Sequence, residues 1–215
     1  MALFTVFAEL AELVLPRHCA GCGAPGHLLC PTCKRDLAAP PQRVFPPTSP
    51  HVPVFTLGAY DGAHRRVVIA MKERNNLAVR KYVGAVVESA LDYLEARGDI
   101  PYGCALIPAP TRPASARARG GDPVKACCAT TSRNVVPVLH LDSHTTDQSE
   151  LDATARRANL AKAVRLAALP PFLGPATPCI VVDDVVTTGA TLQASVEKLL
   201  AHGVNVAACL TICEA

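Results

Sequence analysis

Apolar residues follow two rhythms along this chain. Short apolar runs at 54–60, 104–107, 135–139, 179–182 and 204–212, the fourth strongly β-branched, read as strands. Between them lie stretches where apolar residues return every three or four positions, the spacing of one helix face. These are 61–74 (Val67, Ile69, Ala70), 77–97 ending at Gly98, and 190–202 closed by Gly203. The stretch 114–133 has helical character but is interrupted by Gly120, Gly121 and Pro123. Strands alternating with helices predict an α/β fold, with a mostly parallel twisted sheet covered by helices on both faces. Ahead of this pattern, Leu3, Phe7, Leu10 and Val14 recur at helical spacing and predict an amphipathic helix docked on the body. Six prolines between 40 and 53 predict an extended, semi-rigid linker. The expected organisation is an N-terminal module over 1–39, a linker over 40–53 and the α/β domain over 54–215.

Composition sharpens this outline. Half of the 215 residues are hydrophobic and 18% are charged, enough to bury a core, while a net charge of +3 permits an anionic ligand without demanding nucleic acid. The first fifteen residues lack a basic leader, carry Glu9 and Glu12, and fall short of the roughly 20 apolar residues that span a bilayer. The expectation is a cytoplasmic protein without membrane insertion, in which cysteines stay reduced. Four of the ten cysteines, Cys19, Cys22, Cys30 and Cys33, form two CxxC pairs seven residues apart. That pattern suits tetrahedral Zn²⁺ bound by four thiolates in a structural role. A redox CxxC or unrelated buried thiols are the alternatives, and His18 and His27 flank the cluster as substitute ligands. Cys104, Cys179, Cys209 and Cys213 stand in apolar strand contexts and read as small hydrophobes.

The sharpest chemistry lies after the strand at 179–182. Two adjacent carboxylates, Asp183 and Asp184, end the apolar run, and Thr187, Thr188, Gly189, Ala190 and Thr191 then open a helix. In parallel sheets, ligands bind at such strand ends. Neighbouring carboxylates suit sugar hydroxyls or a metal-bound ligand, and a small-residue loop at a helix N-terminus suits a phosphate. The plainer alternative is a helix cap after a solvated strand end.

The segment resembles the 5-phosphoribosyl pyrophosphate (PRPP) motif of type I phosphoribosyltransferases. Over nearly the whole chain the likeness extends to the ComF/GntX family of zinc-finger-bearing, phosphoribosyltransferase-like proteins. It is carried by the CxxC pairs, by Tyr60, Asp61, Gly62, Arg66 and Met71 to Glu73, by the run from Ile107 to Arg112, by the stretch 151–160, and by the acidic loop. The resemblance implies that Asp183 and Asp184 bind the ribose hydroxyls and that Thr187 to Thr191 cradle the 5′-phosphate. Pro110, Thr111 and Arg112 would lie near the pyrophosphate, Lys72 would contact a phosphate, and Mg²⁺ would bridge ligand oxygens. The chain departs from the family pattern at Arg119, Gly120, Gly121, Asp122 and Pro123, where the family carries an aromatic and two amides after Arg-Gly.

Two functions follow from the resemblance. One is Mg²⁺-dependent transfer of a phosphoribosyl group to an acceptor. The other is a non-catalytic PRPP-binding role in DNA uptake through single-stranded DNA or a helicase partner, with a homodimer left open. Clustered basic residues (Arg65, Arg66, Lys72 and Arg74; Arg112, Arg117, Arg119 and Lys125; Arg156, Arg157, Lys162 and Arg165) read as solvated helix faces or pyrophosphate contacts. Residues 142–152 read as a loop or hood.

Overall fold

The computed structural model describes residues 18–73, 76–142 and 163–215. The expected N-terminal helix, most of the hood, Arg74, Arg156, Arg157 and Lys162 lie outside them. In chain order the elements are α1 (Pro31–Leu37), β1 (Gln42–Val44), β2 (Val54–Thr56), α2 (Gly62–Lys72), α3 (Leu77–Ala96) and β3 (Ala105–Pro108). Then come α4 (Pro113–Ala118), α5 (Pro123–Cys128), β4 (Leu139–Leu141), β5 (Val164–Leu166), β6 (Pro178–Val186), α6 (Ala190–Leu200) and β7 (Asn205–Glu214).

The fold is mixed α/β. Five strands form one sheet in the order β1-β2-β7-β6-β3, with β2, β7, β6 and β3 parallel and β1 antiparallel at the edge. β4 and β5 form a separate antiparallel pair. Alternation along β6 sends Ile180 and Val182 into one core with Val67, Met71, Val79, Val83 and Val87 of α2 and α3. Cys179 and Val181 enter a second core with Leu192, Val196 and Leu199 of α6 and with Leu139 and Val164. Both faces of the sheet are therefore buried, which is why its strands read as continuous apolar runs.

Three sequence expectations change in detail. The helical stretch 114–133 divides into α4 and α5, because Gly120 and Gly121 both adopt positive φ (60° and 121°). Pro123 then sits at the first turn of α5, where a missing N–H costs nothing. The strand expected at 135–139 is only a bridge from Val135 to Leu106, and β4 begins at Leu139. The proline-rich stretch 40–53 is extended as expected, but it carries β1 and donates the Thr48 N–H to the Thr188 carbonyl at 2.8 Å. Among the described residues no helix is long and apolar enough to cross a membrane.

Candidate functional site

Four parallel strands point the same way, so the loops after β2, β3 and β6 emerge on one edge of the sheet. The ladder pairs Pro108 with Val182, and the Ala109 N–H donates to the Val182 carbonyl at 2.7 Å. This lays the loop Pro110–Thr111–Arg112 alongside Asp183. Pro110 is buried, Thr111 is half-buried, and Arg112 is exposed where it caps α4.

β6 does not stop at the acidic pair but runs on through both carboxylates to Val186. Strand alternation therefore sends the two acids to opposite faces. Asp183 opens into a small, shallow cleft that it shares with Val185, Val186 and Thr187 to Leu192. Asp184 meets Lys72 at the end of α2, with Nζ and Oδ2 2.9 Å apart and side chains 27% and 15% exposed. The residue expected as a phosphate contact is thus an ion-pair partner of the second acid here. The Asp184 N–H donates to Asp183 Oδ1 at 2.8 Å. Burial, reinforced by the Asp184 charge, raises the Asp183 carboxyl to about 8, against the pull of that N–H and of Lys72. Asp122 adds a further negative charge to the same environment.

Thr187 and Thr188 are exposed, Ala190 and Thr191 are partly so, and Gly189 is buried in left-handed conformation (φ 83°) ahead of α6. A Cβ at Gly189 would run into the Thr48 carbonyl and would lie 2.9 Å from the Pro46 Cβ. The proline segment thus backs the loop and fixes its shape. The start of α6 lines the same cleft, and a helix N-terminus is a place where an anion is favoured.

Asp122, at the departure from the family pattern, caps α5 by accepting from the N–H groups of Val124 (2.9 Å) and Lys125 (3.1 Å). Arg80 carried no sequence signal beyond that of a helix-face cation, yet it is 3% exposed. Its Nη2 donates to the carbonyls of Met71 and Arg119, each at 3.0 Å. Other expected cations lie elsewhere: Arg65 stacks over Tyr60, Arg165 pairs with Asp142 at 3.2 Å, and Arg117 and Lys125 are exposed.

The cysteine quartet is assembled. The sulfurs of Cys19, Cys22, Cys30 and Cys33 all lie within 4.8 Å of one another. A Zn–S bond of about 2.3 Å in tetrahedral geometry sets sulfurs about 3.8 Å apart, and Cys22 and Cys30 stand at 3.7 Å. Burial alone would raise the Cys19 thiol, but N–H donors from Cys30, Cys22 and Gly21 bring it down to about 6. The set fits a structural metal such as zinc, and Cys19 favours the thiolate that a metal requires. His18 and His27 are exposed and stand outside the quartet. Cys104, Cys179, Cys209 and Cys213 are buried, with burial raising their thiols, as expected of small hydrophobes.

The chain matches no family model and no curated protein.

Proposed function

We propose that this chain is a PRPP-binding protein of the type I phosphoribosyltransferase kind, of ComF/GntX type, that transfers a phosphoribosyl group to an acceptor. One observation carries the reading: Asp183 shares a cleft with the backbone of Thr187 to Thr191 at a parallel strand end. The Pro110 to Arg112 loop follows the neighbouring strand β3, and Lys72 lies across β6 on Asp184. A ligand holding a ribose diol, a 5′-phosphate and a diphosphate calls for acceptors, N–H donors and cations in that order.

In this reading the ribose hydroxyls donate to Asp183 from the cleft side and to Asp184 across the strand end once Lys72 has left it, while the Thr187 to Thr191 loop receives the 5′-phosphate. Lys72 turns from Asp184 to a diphosphate oxygen, joined by Arg112. The bond from the anomeric carbon to the diphosphate breaks with its electron pair on the leaving oxygen, and an acceptor lone pair forms the new bond. Mg²⁺ supplies charge neutralisation on the diphosphate when bound. Asp184, which already pairs with the Lys72 ammonium, would be the carboxylate to hold such a cation. The side chains bind, orient and neutralise, and no protein nucleophile takes part. Zn²⁺ at the cysteine quartet folds the N-terminal module.

A purely binding role in DNA uptake draws on the segment 119–123, where Asp122 and Pro123 start a helix instead of offering ligand groups. Turnover separates the two, because a binding protein saturates with PRPP and releases no pyrophosphate. The direct test is calorimetry of PRPP with Mg²⁺ against the wild type and Asp183→Asn/Asp184→Asn. Wild-type binding near micromolar, about −8 kcal/mol, lost in the double variant, is the expected result. A folded, zinc-loaded wild type that does not bind PRPP would overturn the proposal.

A further inference from the structure

Burying a guanidinium is expensive, and an apolar side chain of similar size on α3 would serve stability as well or better. Arg80 is nonetheless 3% exposed, and two of its acceptors come from chain segments far apart in sequence. One is the carbonyl of Met71, the residue before Lys72. The other is the carbonyl of Arg119, at the C-terminal end of α4. From Arg119 the loop is stitched back onto α4, with the Gly121 N–H donating to the Ala116 carbonyl at 2.8 Å and the Gly120 N–H to Arg117 at 3.2 Å. α4 is the helix that Arg112 caps, and the same loop leads to Asp122. A Cβ on Gly121 would lie 4.0 Å from Arg80 Nη1, so this loop runs directly over the guanidinium.

We infer that Arg80 is a positioning residue that locks the Lys72 end of α2 to the Arg112-bearing α4 loop, setting the half of the site that takes a diphosphate. This rests on the PRPP reading for its ligand but not for its geometry. Asp183 and the loop from Thr187 to Thr191 belong to β6 and α6, elements separate from the two whose carbonyls Met71 and Arg119 supply. The two halves of the site therefore respond differently when Arg80 changes.

The test compares Arg80→Gln and Arg80→Lys with the wild type, using PRPP with Mg²⁺ and ribose 5-phosphate as separate probes. Expected is a loss of PRPP affinity of about tenfold or more, with ribose 5-phosphate affinity within about twofold of wild type. A parallel fall for both probes, or no change for either, overturns the assignment. Hydrogen exchange of the zinc-loaded chain gives a second readout that needs no ligand and includes the milder Arg80→Lys variant. Faster exchange confined to the Gly120 and Gly121 amides and the end of α2 is expected, and unchanged exchange there overturns the assignment. If the wild type binds neither sugar phosphate, the PRPP reading falls, and exchange alone decides whether Arg80 locks the two segments.

Discussion

Asp183 couples the candidate site to stability. Its carboxyl holds a proton to about pH 8 in the fold, against 3.8 as the ordinary value. Between those limits the native state binds one proton more than the unfolded chain, so stability falls as pH rises. The penalty is absent below the unfolded value and complete above the folded one. Asparagine resembles the protonated acid and has no proton to lose. Asp183→Asn should therefore match the wild type near pH 4 and exceed it increasingly toward pH 8, while losing PRPP binding. Urea midpoints at several pH values read this directly, and parallel curves for the two proteins would show that Asp183 ionises freely in the fold. A residue that costs stability at working pH is one whose presence calls for a functional explanation.

At the scale of elements, α5 depends on a single cap. Asp122 accepts from two N–H groups at its start, and Asp122→Ala should cost about 1 kcal/mol, or roughly 2–4 °C in the thermal midpoint. Asp122→Asn keeps the cap and removes a negative charge that pushes Asp183 upward. It should leave the midpoint almost unchanged and move the Asp183 titration, followed by carboxyl carbon NMR, toward lower pH. The contrast explains what was legible in the sequence. β6, α6 and β7 announce themselves because apolar runs and a small-residue loop are local signals. The extension of β6 to Val186 is hidden because two carboxylates break its apolar pattern, although the ladder continues through them. β1 is masked by surrounding prolines and buries only Val44 of its three residues. Arg80 is invisible because the Met71 and Arg119 carbonyls to which it donates lie 9 and 39 residues away. Asp122 reads as a departure from a family pattern, whereas Asp followed by Pro is also a sound way to begin a helix.

For the whole molecule, the cysteine module is continuous with the main core. Cys19, Leu29, Cys33 and Leu37 share one buried cluster with Phe55, Leu57, Val67 and Met71, and Lys34 lies 4.6 Å over the Tyr82 ring of α3. A Cβ on Gly21 would sit 2.6 Å from Cys33 Sγ and 3.3 Å from the Ala63 Cβ, so the knuckle turns directly against the start of α2. Without a metal, protonated thiols replace the thiolates, and the module has too few apolar residues to hold its turns alone. Its collapse would uncover the α2 face, and α2 carries Lys72 at its far end. Chelation at neutral pH, or Cys33→Ser, should remove one zinc per chain and lower the thermal midpoint of a single, whole-chain transition. PRPP affinity should fall with it. An independent bead would behave otherwise, with a separate low-temperature transition and a main midpoint and ligand affinity untouched by the chelator. The shared core argues for the first outcome, because residues packed in one cluster cannot lose part of their wall and keep the remainder at native density.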